Sequence, residues 1–324
     1  MTRYFVCGGL GFIGHHVVKR LLKEQPDCEI VIYDNLSSGK LEFLEDVKDD
    51  SRLKIIIGDI KDLPKLIDSM KNIDTVWHFA SNPNISAAIT YPTIDFYEGT
   101  LLTQNILESM RINGVKKIIY ASGSGVYGDA GETEMDENYS PMIPISTYGA
   151  SKIAGESLIS SYCHMFDIVG RVYRFANVIG SNPTHGVILA FIEKLKNNPK
   201  QLEILGNSKQ SKSYIYVEDI IDGILATESA SKKQYDYFNI ATQDYIEVNE
   251  IADIICEEMK LDNVEYHMTS NETRGWKGDI GVCRFDTNKI RSYGWGNKFT
   301  TREAVRKVTR EILYNEKFFD NHTI

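Results

Sequence analysis

Short apolar runs rich in Ile, Val, Tyr and Phe recur at Tyr4 to Cys7, Glu29 to Tyr33, Leu53 to Ile57, Thr75 to Phe79, Lys117 to Ala121 and Ile168 to Tyr173. Near-continuous apolar runs of this length are what strands buried on both faces require. The segments between them carry helical spacing instead: Val17, Leu21 and Leu22, then Leu101, Ile106, Leu107 and Met110, then Ile153, Leu158 and Ile159. Strand and helix in alternation predict an α/β fold with a doubly wound parallel sheet. After Asn177 the rhythm breaks into a loop-rich stretch with a helix over Val187 to Lys196, a strand over Leu202 to Leu205 and a helix over Val248 to Met259. Residues 1–175 are therefore expected to form the first lobe and 176–324 a smaller, mixed α/β C-terminal lobe. Parts of 214–240, namely Tyr214 to Thr227 and Tyr237 to Ile240, are free to rejoin the first.

The remaining composition narrows the function classes. A chain of 324 residues has room for about two domains with a sizeable core. Thirty-six basic against 45 acidic residues leave a net charge of −9, so the basic surface that nucleic acid or anionic lipid demands is not expected. Five scattered cysteines without a C-x-x-C pair suit reduced thiols better than a disulfide framework or a zinc cluster, and no metal site is expected. The longest uncharged stretch, Thr75 to Ile94, is interrupted by Pro83 and Pro92 and by His78, Asn82 and Asn84, too polar for a membrane span. With strand-like residues already at Tyr4, no leader is expected, and the chain reads as cytoplasmic. No internal repeat or low-complexity tract stands out.

Directly after the first run comes Gly8-Gly9-Leu10-Gly11-Phe12-Ile13-Gly14, followed by the amphipathic segment His15 to Lys23. Glycines at 8, 11 and 14 let the backbone turn tightly and approach a pyrophosphate, whose charge then rests on the free amides of the helix start. Three glycines alone would be a weak signal, since glycine also closes ordinary turns. Asp34, 20 residues beyond Gly14 at the end of the second run, strengthens it: a carboxylate there accepts hydrogen bonds from a ribose and repels a 2′-phosphate. The first lobe is thus read as a Rossmann-type domain with NAD, rather than NADP, as cofactor.

Tyr148-Gly149-Ala150-Ser151-Lys152 opens a further helix that Ser146 or Thr147 could cap. Tyr and Lys four apart share a helix face. A phenol of ordinary pKa near 10 needs a nearby cation to act as a base at neutral pH, and the Lys152 ammonium is expected to ionise Tyr148 with help from the nicotinamide's charge. On a solvated helix such a pair is usually structural; in a chain with the glycine loop it reads as a catalytic pair.

These residues resemble the extended short-chain dehydrogenase/reductase family, specifically its nucleotide-sugar epimerases of the UDP-glucose (UDP-galactose) 4-epimerase type. The resemblance runs over nearly the whole chain, through GGLGFIG at Gly8 to Gly14, YDNLSSG at Tyr33 to Gly39, GDI at Gly58 to Ile60, DTVWHFA at Asp74 to Ala80, the loop Ser122 to Gly128 and YGASK at Tyr148 to Lys152. It continues with RFANVIG at Arg174 to Gly180, HGVI at His185 to Ile188, KSYIYVED at Lys212 to Asp219 and RGWKGD at Arg274 to Asp279. It implies a cofactor channel that includes Phe12, Ile13, Asn35, Ser38 and Gly39, with Asp59 and Ile60 flanking the adenine and Phe79, Ala80 and Ser81 lining the way. Tyr148 would be the acid/base and Lys152 the ribose anchor. On the substrate side it implies Asn177 and Lys212 at the diphosphate, with Tyr214 beside them, and the backbone at Val187 and Ile188 under the base. Arg274 or Lys277 would be the second diphosphate cation, the usual arginine aligning with Trp276. A UDP-sugar substrate and a homodimer through the helices at about Asp95 to Asn113 and Thr147 to Met165 are implied as well.

Three departures stand out. The hydroxyl residue usual four before the Tyr of the V-Y-G loop is Gly123 here, leaving Ser122 and Ser124 as joint candidates to pass a proton, although neighbours on a strand end point oppositely. The Asn usual in N-x-x-G-T-x-N is Gly99, with Thr103 and Asn105 kept. Cys283, small for a position beside the sugar's C2 substituent, leaves space for an N-acetyl group. A 4,6-dehydratase or decarboxylase would need a carboxylate in the Gly123-Ser124-Gly125 loop, and a catalytically silent NAD-binding regulator would have no use for Tyr148 and Lys152.

Overall fold

In the computed structural model, which describes residues 1–320 with side chains to residue 315, seven parallel strands form the central sheet. They are β1 (Thr2–Cys7), β2 (Cys28–Asp34), β3 (Leu53–Ile57), β4 (Thr75–His78), β5 (Lys117–Gly123), β6 (Val169–Phe175) and β7 (Tyr235–Ile240). Their order across the sheet is β7-β6-β5-β4-β1-β2-β3. The order reverses between β1 and β4, and the carboxyl ends beside that switch are where such sheets open a crevice. The sheet does not stop at residue 175: β7 pairs with β6 from Tyr235 opposite Gly170 to Ile240 opposite Phe175. The last four residues of the chain, assigned with the second lobe, lie outside the described residues.

Alternate residues of each strand feed opposite faces. In β1, Val6 belongs to a core shared with Val17, Val18 and Leu21 of α1 (Phe12–Glu24). Phe5 and Cys7 belong to another, shared with Ile106 and Met110 of α3 (Leu101–Asn113) and Ile159 of α4 (Thr147–Phe166). Between β3 and β4 lies α2 (Leu63–Ser69), capped by Asp62, whose side chain accepts from the Lys65 amide, and entered through Pro64. Burial on both faces explains why the inner strands read as unbroken apolar runs; the edge strand β3 is only half-buried.

The second lobe has its own core, in which Ile192 and Leu195 of α5 (Val187–Asn197) meet Leu202, Val305 and Ile251 and Ile255 of α7 (Val248–Met259). Between them in sequence, α6 (Val217–Thr227) returns to the face of the sheet occupied by α1. Arg20 of α1 holds Glu218 at 3.0 Å and Asp222 at 2.5 Å there. The strand Tyr214–Tyr216 pairs in parallel with Asn177–Ile179, so the segments on the two sides of the crevice are stitched by backbone bonds. Among the described residues no helix is long and apolar enough to cross a membrane.

Candidate active site

A cavity of about 780 Å³ runs along the carboxyl ends of β1, β2, β4 and β5 and on to α5. At one end its wall is the loop between β1 and α1. Gly8 sits at φ +75°, where a side chain is strained, and a Cβ on Gly14 would lie 2.1 Å from the Gly8 oxygen. The chain therefore folds back on itself with room for neither side chain, and Gly11, Phe12 and Ile13 line the cavity beside it. Asp34, buried at the end of β2, accepts the Leu10 amide at 3.0 Å and the Leu36 amide at 2.8 Å. Its carboxylate thus ties the glycine loop to the β2 end while still facing the cavity.

Asn35, Ser38, Asp59, Ile60, Phe79, Ala80 and Ser81 continue this wall. Gly39 does not line the cavity; a Cβ there would meet Leu10 and, at 3.0 Å, Asp34, so it packs behind the loop instead. Gly99 also has a packing reason. A Cβ on it would stand 2.8 Å from the Ser151 hydroxyl, so an Asn at this position would clash with α4. Thr103 and Asn105 still brace the site, Thr103 bonding His78 at 3.1 Å and Asn105 donating to the Ile60 carbonyl at 3.0 Å.

Midway along the cavity stand Tyr148 and Lys152. Ser146 is the cap of α4, its hydroxyl accepting the Gly149 amide at 3.1 Å, which leaves Thr147 as the first helical residue. Gly149 lets the helix start approach the loop after β5: its Cβ would fall 2.3 Å from the Gly125 oxygen. The Lys152 ammonium is buried, donates to the Ala121 carbonyl at 2.8 Å and lies 5.4 Å from the centre of the Tyr148 ring. Burial pushes its pKa down to about 8, against the pull of Glu156 and Asp95.

Lys152 by itself does not bring the Tyr148 phenol below its ordinary value. Burial pushes the Tyr148 phenol up to about 12, the Ser81 hydroxyl pulling it down and the Asp95 charge pushing it further up. The reason is burial: away from water the neutral phenol is favoured over an anion.

At the end of β5, Ser122 and Ser124 part company. Ser122 reaches the cavity wall, but its hydroxyl donates to Glu156 at 2.6 Å, and Glu156 is the buried partner of Arg174 at 2.7 Å. Ser124 lines the cavity and a smaller one of about 110 Å³ beyond it, which Cys283 also lines. The joint assignment therefore narrows to Ser124. Cys283 is buried at this smaller cavity rather than in the main one.

Toward the second lobe the wall holds Asn177, Val187, Ile188, Lys212 and Tyr214. Lys212 is paired with Asp279 at 2.8 Å, both well shielded. Arg274 is not brought to the cavity. Its guanidinium pairs with Asp129 on the outer side of the loop, and Trp276 and Gly275 face the cavity in its place. Lys277 is exposed and lines neither cavity, so neither arginine nor lysine of this loop joins Lys212.

Sequence reasoning missed Asn82, Asn84 and Ile85 after β4, together with Gln210 and Trp276. The Asn-Pro-Asn run at 82–84 was a signal available in the sequence, because two amides flanking a proline at a strand end suit a structured turn. Among the described residues no group of three His, Cys, Asp or Glu is placed to hold a metal.

The sequence profile of the NAD dependent epimerase/dehydratase family matches residues 4–241 of this chain. A putative UDP-glucose 4-epimerase of Methanocaldococcus jannaschii is 31% identical over 96% of this chain and 99% of its own length. A dTDP-D-glucose 4,6-dehydratase of Mus musculus is 30% identical over 98% of this chain and 90% of its own. Among solved structures, a UDP-galactose 4-epimerase superposes with a TM-score of 0.86 at 35% identity, covering 97% of this chain and 99% of that one. The family's cofactor is NAD, and the cradle at Gly8 and Gly14, with no space for a Cβ and Asp34 at its edge, fits it.

Proposed function

This chain belongs to the NAD dependent epimerase/dehydratase family, and from that premise we propose that it is a nucleotide-sugar 4-epimerase, an isomerase that interconverts UDP-glucose and UDP-galactose. One observation carries the reading: Tyr148 and Lys152 line the same continuous cavity as the Gly8–Gly14 cradle at one end and Asn177 and Lys212 at the other. NAD, when bound, supplies a hydride acceptor that can give the hydride back.

The protein's own part follows from its residues. Tyr148 takes the proton of the sugar 4-hydroxyl as that carbon is oxidised, and returns it after the 4-keto sugar has turned its other face. Lys152, fixed on the Ala121 carbonyl, keeps positive charge beside the phenol and anchors the cofactor's ribose. Ser124 stands by to relay the proton. Lys212, Asn177 and the first turn of α5 hold the nucleotide end, so the sugar alone is free to rotate. The small cavity at Cys283 and Ser124 supports acceptance of a 2-acetamido sugar as well.

A 4,6-dehydratase reading, suggested by relatives of that name, is disfavoured by the loop Gly123-Ser124-Gly125, which offers no carboxylate to the cavity. A silent regulator would have no use for a half-buried Tyr and a buried Lys lining the same crevice. Exposed apolar residues on the expected dimer helices and their approaches, Phe96, Tyr97, Ile112 and Met165, support a homodimer. Five unpaired, buried cysteines support a reducing compartment, the cytoplasm.

The test is incubation of the purified protein with UDP, dTDP and GDP sugars and identification of products by NMR. The expected result is an equilibrium of 4-epimers without net reduction of NAD, and Tyr148→Phe lowering turnover by about 10² to 10⁴ while NAD is retained. Stoichiometric NADH, a 4-keto-6-deoxy product, or an active Tyr148→Phe protein would each overturn the assignment.

A further inference from the structure

Asp95 was not singled out by the sequence, yet it is 1% exposed and lies just before α3, close behind the Tyr148–Lys152 pair. One carboxylate oxygen accepts from the Asn82 amide at 2.9 Å and the other from the Thr147 hydroxyl at 2.6 Å. Thr147 is the residue before Tyr148. Asn82 follows Ser81, whose hydroxyl faces the Tyr148 phenol, and it fixes its own loop by bonding Asn84 through both side-chain atoms at 2.9 Å. Among the described residues no Lys, Arg or His forms an ion pair with Asp95. A buried carboxylate with no directly paired cation is costly; here it gives two acceptors to two donors, Asn82 and Thr147, where an Asn would turn its own NH2 on the Asn82 amide. Its charge also acts on the Lys152 ammonium.

We infer that Asp95 is a positioning residue for the reaction at Tyr148: it clamps the Ser81–Asn84 loop to the first turn of α4 and sets a fixed negative charge behind the Tyr148–Lys152 pair. The inference rests on the reading of Tyr148 as the acid/base.

Two consequences follow. Without the clamp, Ser81 and Tyr148 lose their common reference, which slows the chemical step without loosening the substrate end of the cavity. Without the charge, the pair gives up its protons more readily. Tyr148 is faced by Lys152 and Tyr120, by Ser81 and by Asp95; Lys152 is faced by Tyr148, Tyr120, Glu156, His78 and Asp95. Burial is the leading influence on each, and Asp95 raises both. The ammonium lies 5.4 Å from the centre of the Tyr148 ring, and catalysis as a base needs the two groups between them to have lost one proton. Activity therefore rises with pH through that first loss, and removing the Asp95 charge moves the rise to lower pH.

The experiment is the pH profile of kcat for Asp95→Asn and Asp95→Ala against the parent protein, with bound NAD measured in each. Asp95→Asn keeps the size and the Thr147 bond and gives up the Asn82 bond and the charge; its rising limb, which reports the charge, is expected at least half a pH unit below the parent's, with KM unchanged within about twofold. Asp95→Ala is expected to lower kcat about tenfold with NAD retained. A coincident limb for Asp95→Asn overturns the inference, as does an Asp95→Ala kcat within twofold of the parent. If Asp95→Ala does not fold, Asp95→Asn decides alone. Tyr148→Phe is the control: an active Tyr148→Phe protein defeats the underlying acid/base reading, whereas an inactive one beside an unshifted Asp95→Asn defeats this inference only.

Discussion

The cofactor end and the substrate end of the cavity are built in different ways. The cofactor end is made of short contiguous segments at the ends of β1, β2 and β4, and its shape is set by backbone: a left-handed Gly8, a Gly14 with no room for a Cβ, and a carboxylate that bonds two amides. The substrate end is made of single side chains delivered from distant places, Ser124, Asn177, Lys212, Trp276 and Asp279, the last two on an irregular loop. A backbone cradle tolerates almost no change, and a set of side chains can exchange members. Lys212 and Trp276, where the resemblance leads one to expect arginines, fall where exchange is cheapest.

That contrast is broken most directly at Gly14. Gly14→Ala puts a methyl 2.1 Å from the Gly8 oxygen and 2.7 Å from the Gly9 Cα, both backbone atoms that cannot step aside. NAD affinity is expected to fall by about a hundredfold or more, with a loss of stability of about 2 kcal/mol or more. Fluorescence titration with NADH and thermal unfolding check this. Near-parental affinity would mean that the cradle is more pliable than its contacts imply.

A smaller effect sharpens the substrate end. Lys212→Ala removes a shielded ammonium from the cavity and leaves Asp279 bonded to the Gly275 amide but with no cation beside it. Hydrogen bonds to charged groups contribute about 1.5–3 kcal/mol, so the Kd for UDP is expected to rise about 10- to 100-fold. Arg274→Ala, which breaks only an exposed pair with Asp129, should leave that Kd within about twofold. Calorimetric titration with UDP separates the two; equal losses would return Arg274 to the site.

The same contrast explains what was legible in the sequence. The strands were readable because their apolar runs are unbroken, the inner ones being buried on both faces, so their bounds moved by only a residue or two, and the half-exposed edge strand Leu53–Ile57 was met to the residue. The Gly8–Gly14 loop and Asp34 were readable because their spacing is fixed by chain geometry. Arg274 against Trp276 was not, since which side chain of a loop enters a crevice depends on partners such as Asp129 that no local pattern reveals. Asp95 escaped for a related reason: its two partners lie 13 and 52 residues away. Ser122 and Ser124 were separable only in principle, by strand alternation; it took Glu156 to show which hydroxyl was already engaged.

The mildest change bears on that last pair. Gly123 lies at φ −165° and ψ 175°, extended backbone that any residue adopts, and a Cβ on it would meet nothing nearer than the Phe175 oxygen at 3.8 Å. The absence of a hydroxyl here is therefore not forced by packing, unlike the absence of an Asn at Gly99. Gly123→Ser would place an oxygen at the cavity wall between the committed Ser122 and the more distal Ser124. If proton transfer between sugar and Tyr148 limits turnover, kcat should rise by about two- to fivefold with KM unchanged, and stability should hold or improve slightly because the unfolded chain loses freedom. Measured beside Ser124→Ala, the result has one clear reading. A Gly123→Ser gain that survives Ser124→Ala makes position 123 sufficient for the relay, whereas no gain, with a loss for Ser124→Ala, means that this substrate end has moved the task one residue along the loop, as its exchangeable construction allows.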